Sequence, residues 1–408
     1  MTLRTLHVTP YFAPAFVYGG PPRSILGLCK GLRRLGIDVD VITTTANGRA
    51  SELPSAIDEP REFEGVPARY FPLAPPRWLW NARGLERALR RSIPQCDIVH
   101  IHGLWHVPAW LAAHHARQLG VPYVVSPRGM LEPEALEVHA RRKAVAFRLV
   151  ERRNLESASL LHCTSTREME TLERRGFGPP LVLASNGVDL ATQTGRDPER
   201  TLRDLGVDPD ASFVLFLGRL HPIKRLDLLA SAMTRMRTPG IELVIAGPDE
   251  AGHSNDVRPL FDASGVKVTW TGAVDSDQKA SLLMCARALV SCSDSESFGL
   301  TVAEAMAAGV PVVVTDTCPW PAVEREGAGR WVRQNADAIA GALDEIVSNP
   351  NLAREMGARG RALVASRYTW DAAARTIAEH YYQIARPARR PSSRKEARAD
   401  AGELVSQS

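Results

Sequence analysis

The sequence predicts an α/β protein made of two consecutive Rossmann-like units, each on a parallel sheet. Three observations predict it. The chain has 408 residues, enough for two domains with sizeable cores. Short β-branched runs alternate with amphipathic stretches, the pattern of βαβ units. The alternation stops at the polar stretch 191–200 (ATQTGRDPER) and then starts again.

In the first half, strands are expected at residues 5–9, 39–44, 98–102, 123–126 and 160–163, with helical patterns between most of them. In the second half they are expected at 213–217, 243–246, 266–270, 288–291 and 310–314. This gives an N-terminal domain over 1–193 and a C-terminal domain over 200–370. Residues 351–366 and 369–385 read as helices, the last (371–385) crossing back onto the first domain. The end, 386–408, is rich in Arg, Ser, Ala and Pro with almost no aliphatics, and is expected to be a disordered basic tail.

Apolar residues make up 44% and charged residues 24%, ordinary globular values that exclude fibrous and disordered classes. No run of about eighteen apolar residues occurs, and the N-terminus lacks the apolar stretch of a secretion signal, so a cytoplasmic protein is expected. The six cysteines lie far apart without metal-ligand spacing and read as reduced core thiols. The first 190 residues hold 24 Lys and Arg against 18 Asp and Glu, and eight of the eleven histidines. An anionic acceptor or lipid surface is therefore expected to meet the N-terminal domain, although an uneven solvated surface gives the same count. No nucleic-acid partner is expected.

Parallel α/β sheets bind ligands at the carboxyl ends of their strands. After the first strand, Gly19-Gly20-Pro21-Pro22 opens a helix, where backbone N–H groups can approach a phosphate; a plain tight turn uses the same residues. After the first strand of the second half, Arg219 and Lys224 stand five residues apart and can neutralise a diphosphate without a metal. Solvated surface cations are the alternative. The richest segment runs from Glu296 through Phe298, Gly299, Leu300 and Thr301 to Glu304 and on to Pro311. Its helix N-terminus can hold phosphate, and its two carboxylates can accept bonds from sugar and ribose hydroxyls.

This segment resembles the Glu, seven residues, Glu signature of retaining glycosyltransferases of family 4. Further blocks resemble that family in its order: Gly19-Gly20-Pro21, His102-Gly103-Leu104-Trp105, Ser126-Pro127-Arg128-Gly129, Asn186-Gly187-Val188-Asp189, Gly218-Arg219 with Lys224, Ala246-Gly247-Pro248-Asp249 and Pro319-Trp320. The resemblance implies a GT-B fold, two Rossmann-like domains facing each other across a cleft, with a nucleotide-diphosphate sugar on the second and a glycan or lipid-linked glycan acceptor on the first. It implies retention of configuration in bacterial surface-polysaccharide synthesis, with the donor as substrate and no cofactor or metal. Carried over by position, Arg219 and Lys224 would hold the diphosphate, Glu304 the ribose and Glu296 the transferred sugar. Gly20, beside Gly19, would donate to the distal phosphate. The base would lie near Gly247, Pro248, Thr271 and Gly272. Arg128 replaces a His common in relatives and would face the departing phosphate; His102 is the next candidate, on the acceptor side.

Two rival readings are an epimerase on the same fold and a non-catalytic binding subunit, the latter disfavoured by the presence of both cations and both glutamates. The Asp38/Asp40, Asp208/Asp210 and Asp275/Asp277 pairs are read as strand, loop or capping acids rather than metal ligands. The stretch 139–158 reads as a basic amphipathic helix, with Phe147, Leu149 and Val150 on or near its apolar side. It suits peripheral contact with an anionic membrane, or packing on its own sheet.

Overall fold

A computed structural model describes residues 2–48, 51–54, 60–190, 195–249 and 252–385. The expected tail 386–408, and residues 191–194 of the polar break, lie outside the described residues.

The first sheet contains β1 (Arg4–Val8), β2 (Asp38–Thr44), β3 (Pro60–Phe63), β4 (Val66–Phe71), β5 (Ile98–His102), β6 (Tyr123–Ser126), β7 (Leu160–Cys163) and β8 (Leu181–Leu183), in the order β3-β4-β2-β1-β5-β6-β7-β8. All pairs are parallel except the β3–β4 hairpin at one edge. The second sheet contains β9 (Ser212–Leu217), β10 (Ile241–Ala246), β11 (Val268–Gly272), β12 (Ala288–Ser291), β13 (Val312–Thr315) and β14 (Gly329–Val332). It is wholly parallel, in the order β11-β10-β9-β12-β13-β14. The central strands β5, β6, β7, β12 and β13 are buried throughout, as expected for sheets covered on both faces by crossover helices. The chain reverses its direction of winding between β1 and β5 and between β9 and β12. Each reversal opens a crevice at the strands' carboxyl ends, and the two crevices face each other.

The last helix among the described residues, Trp370–Ile384, returns to the first domain and packs on the helix Gly20–Arg34. Trp370, Ala374, Ile377 and Tyr381 join the first domain's core, and Asp371 pairs with Arg34 at 2.6 Å. Two glycines permit the approach. A Cβ on Gly27 would collide with the Trp370 ring, and one on Gly31 would stand 2.7 Å from the Trp370 carbonyl oxygen and 2.8 Å from Ala374 Cβ. Gly31→Val should cost roughly 1–3 kcal/mol by overpacking against backbone, read as a lower melting temperature with earlier proteolysis at the C-terminal helix. An unchanged temperature and cleavage pattern would show that the two helices do not depend on this contact.

The stretch 139–158 is not one amphipathic helix. It comprises a helix Ala140–Ala146, a π-helical turn Phe147–Glu151 and a helix Arg152–Glu156. The wider turn shifts the faces, so Phe147 packs against the core while Leu149 is 72% exposed. Glu151 is buried there and accepts from the Trp105 backbone N–H at 2.5 Å and the Trp110 indole at 2.7 Å. Burial pushes its carboxyl up to about 7. No described helix is long and apolar enough to cross a membrane.

Candidate functional site

The loops after β9, β10 and β11 are tied together by backbone hydrogen bonds. The N–H of Gly218 donates to Ala246, that of Leu220 to Pro248 and that of Gly247 to Gly272. Gly247 has φ +151°, and a Cβ there would collide with the Gly218 carbonyl, so the close approach of these loops requires glycine. Gly247, Pro248, Thr271 and Gly272 are thereby gathered beside Gly218 and Arg219.

Lys224 closes a short turn, Pro222–Lys224, capped by His221, whose Nδ1 accepts from the Ile223 N–H at 3.2 Å. Its ammonium pairs with Glu296, which also accepts from the Ser293 hydroxyl at 2.8 Å. Arg219 is half-buried and has no ion pair among the described residues. Gly299, at φ +82°, precedes the helix Leu300–Ala308. The buried Phe298 packs 5.0 Å from the Trp320 ring, whose indole N–H donates to the Phe298 carbonyl. That contact fixes the entry to the helix, and Thr301 lies in its first turn.

Glu304, one turn further on, pairs at 2.6 Å with Lys279 of the helix Ser276–Cys285. Sequence reasoning did not find Lys279, because its tie to Glu304 spans two helices. Lys279 and Glu304 line an interdomain cavity of about 310 Å³ together with Arg23, Lys30 and Asp189. Asp275 caps the helix Ser276–Cys285 in a capping box with Gln278, and both Asp275 and Asp277 pair with Arg196. Asp38 opens β2, as its reading as a strand residue implies.

The first domain supplies the opposite wall. A Cβ on Gly19 would lie 3.2 Å from Arg219 Nε, and one on Gly20 would lie 3.4 Å from Leu300. The N-termini of helices Gly20–Arg34 and Leu300–Ala308 thus converge near Arg219, and two helix N-termini make an electropositive mouth suited to an anion. Arg128 sits in a left-handed turn at φ +56°, its carbonyl accepting from the Ser297 hydroxyl at 3.2 Å across the cleft. Its guanidinium turns inward, donating to Ser24 Oγ at 2.7 Å and to His102 Nδ1 at 3.1 Å. Burial brings Arg128 down to about 10.

His102 is buried, with 1% exposure, and so lies beneath the cleft surface rather than on it. Its partners are Arg128 and His7. Nitrogens of His7, His100 and His102 lie within 4.8 Å of one another, a spacing a divalent cation could use. However, His102 Nδ1 receives Arg128 and His100 Nδ1 receives the Tyr381 hydroxyl at 2.6 Å, so those lone pairs are engaged and the nearest charge is positive.

Comparison with known proteins agrees with this architecture. Residues 19–187 match the family described as "Glycosyl transferase 4-like domain", and residues 197–363 match "Glycosyl transferases group 1". The chain is 28% identical over 422 residues to a D-inositol 3-phosphate glycosyltransferase of Streptomyces bingchenggensis, covering 96% of this chain and 90% of that one. It is 27% identical over 409 residues to a GDP-mannose:cellobiosyl-diphosphopolyprenol alpha-mannosyltransferase of Komagataeibacter xylinus, covering 94% of each. The structure of Anabaena HepE in complex with UDP-glucose superposes with a TM-score of 0.72 at 17% identity, over 93% of this chain and 100% of that one. It shares the GT-B fold.

Proposed function

The chain belongs to the glycosyltransferases of the family 4 type, and from that premise we propose that it moves a sugar from a nucleotide-diphosphate sugar to a glycan or lipid-linked glycan with retention of configuration. The observation that carries this reading is Arg219, a cation without a carboxylate partner among the described residues, standing between two converging helix N-termini. Arg219 and Lys224 hold the diphosphate. Glu304, oriented by Lys279, takes the ribose hydroxyls, and Glu296 takes hydroxyls of the transferred sugar. The base lies against Gly247, Pro248, Thr271 and Gly272. Gly20 donates its N–H to the distal phosphate, and Phe298 and Gly299 set the loop before Leu300 and Thr301.

The chemistry follows from where charge develops. As the sugar–phosphate bond breaks, negative charge grows on the leaving diphosphate. Preorganised donors at that place stabilise the transition state more than the ground state. Two cations and two helix N-termini supply this without a metal, and the leaving phosphate accepts the acceptor's proton.

One relative, named for a cellobiosyl-diphosphopolyprenol acceptor, supports a lipid-linked acceptor and a polysaccharide role. Trp78, Val138, Val145 and Leu149 are 58–72% exposed beside the basic residues Arg141, Arg142 and Arg148. This combination favours peripheral contact with an anionic bilayer.

The deciding experiment is thermal-shift binding of UDP, GDP and ADP, each with and without Mg²⁺. A ligand bound only by the native state at about 100 times its Kd adds roughly 2.7 kcal/mol of stability. One nucleotide is expected to raise the melting temperature equally with and without Mg²⁺. No shift with any of them would overturn the donor site and favour a non-catalytic subunit.

A further inference from the structure

Beneath the cleft, four histidines form two hydrogen-bonded chains whose proton positions follow from their ends. A guanidinium only donates, so His102 Nδ1, facing Arg128 Nη2 at 3.1 Å and Nε at 3.4 Å, is bare. The neutral ring then carries its hydrogen on Nε2 and donates to His7 Nδ1 at 2.9 Å. His7 is left with an Nε2–H that has no partner among the described residues. At the other end, the Ala184 carbonyl only accepts, so His162 Nε2 donates to it at 2.8 Å. His162 Nδ1 then receives His100 Nε2–H at 3.4 Å, and His100 Nδ1 receives the Tyr381 hydroxyl at 2.6 Å. The rings of His100 and His102 stack at 4.2 Å.

Burial beside the Arg128 charge keeps all four rings neutral, and Arg128 hydrogen-bonds only to neutral groups. No carboxylate pairs with it among the described residues. Glu168, whose charge acts on it, is occupied by the N–H groups of Gly129 and Thr164. A buried charge without a counter-ion is costly, and such an arrangement is found where a ligand supplies the missing charge. Its guanidinium has five N–H groups and makes three protein contacts, leaving donors for a phosphate oxygen. Ser24, its other partner, lies one turn inside the helix that starts at Gly20 and donates to the Pro21 carbonyl at 3.0 Å. The Arg128 carbonyl accepts from the Ser297 hydroxyl at 3.2 Å across the cleft, next to the Glu296 that pairs with Lys224, so the Arg128 loop stands against the donor-site loop of the opposite domain.

We propose that Arg128 receives the distal phosphate of the nucleotide diphosphate and that His102 and His7 are its positioning residues. His102 keeps a bare Nδ1 against the guanidinium, and His7 fixes the tautomer that keeps it bare. This rests on the donor-site reading above. The acceptor nitrogen holds the guanidinium in one rotamer, and the absence of a carboxylate keeps its whole charge available to the ligand.

The test compares Kd for a nucleoside diphosphate and its monophosphate, UDP with UMP or GDP with GMP, on wild type and variants. Loss of one oriented charge-assisted contact should weaken the diphosphate about tenfold and leave the monophosphate unchanged. That outcome is expected for His102→Leu. His102→Asn, whose Oδ1 takes the place of Nδ1, should restore the wild-type ratio. Should His102→Leu not fold, Ser24→Ala removes the guanidinium's other partner at a helix-compatible position, and the same selective loss is expected. An unchanged diphosphate-to-monophosphate ratio in the variant tested, or equal weakening of both nucleotides, overturns the positioning role, as does failure of Asn to restore the ratio. A wild type without preference for the diphosphate overturns the donor-site reading itself and this proposal with it.

Discussion

Arg219→Ala combined with Lys224→Ala abolishes the thermal shift given by the nucleotide that wild type binds, while the protein without ligand still unfolds cooperatively. Each lost phosphate contact is a charge-assisted hydrogen bond contributing about 1.5–3 kcal/mol. Together that is on the order of 10²–10⁴ in Kd. A second effect has the same sign. Lys224 is bonded to Glu296, so its removal leaves that carboxylate unpaired and repelling the incoming diphosphate. The pair is only 15–19% exposed, so its loss also lowers the melting temperature of the unliganded protein, and the effect on binding is read as a Kd rather than from that temperature. Titration of UDP or GDP by calorimetry checks the result. Binding by the double variant within threefold of wild type would remove these two residues from the donor site and return them to the solvated surface.

Much of this arrangement was legible in the sequence, and what was hidden shares a physical cause. The alternation of β-branched runs and amphipathic stretches exposed the buried central strands, because a strand covered on both faces has little choice but Val, Ile and Leu. Strands at or next to a sheet edge carry less of this constraint. β3 and its neighbour β4 hold Pro60, Arg61, Pro67 and Arg69 within ten residues, and the edge strand β8 is three residues long. The segments bearing Arg219, Lys224, Glu296 and Glu304 stand out because each is a short loop-to-helix transition, local in sequence. Their supports are not local. Lys279 reaches Glu304 from another helix, and Ser24 meets Arg128 across 104 positions. His102 read as an acceptor-side residue because it ends a strand. A signal of its burial was available in His100-x-His102 within the apolar run 98–102, since residues two apart share a face of a strand.

Acidification should unfold the first domain well before ordinary carboxylate titration would. His7, His100, His102, His106 and His162 are buried, and desolvation, with neighbouring positive charge for all but His106, lowers them from 6.5. His7 falls to about 3, and His106 and His162 to about 4. Below pH 6.5 the unfolded chain takes up these protons and the folded chain does not, so stability falls as pH falls and recovers as it rises. Each histidine contributes up to about 1.4 kcal/mol per pH unit. Five acting between pH 6.5 and 5 amount to on the order of 10 kcal/mol, comparable with the whole stability of a typical domain. Three buried carboxylates oppose this. Glu151, raised to about 7, and Glu132 and Glu168, also raised by burial, bind protons more readily in the folded chain and stabilise it as pH falls. Over the same range Glu151 alone can return about 2 kcal/mol. Five histidines against three carboxylates leave a net loss, so the melting temperature should drop steeply between pH 6.5 and 5. His106→Asn, whose side chain can still cap the helix that follows, should make the pH slope shallower by about one proton's share. A melting temperature flat over this range both in wild type and in Glu151→Gln, which removes one opposing carboxylate, would mean that the histidines are charged in the folded protein, and the neutral chain holding Arg128 could not then exist.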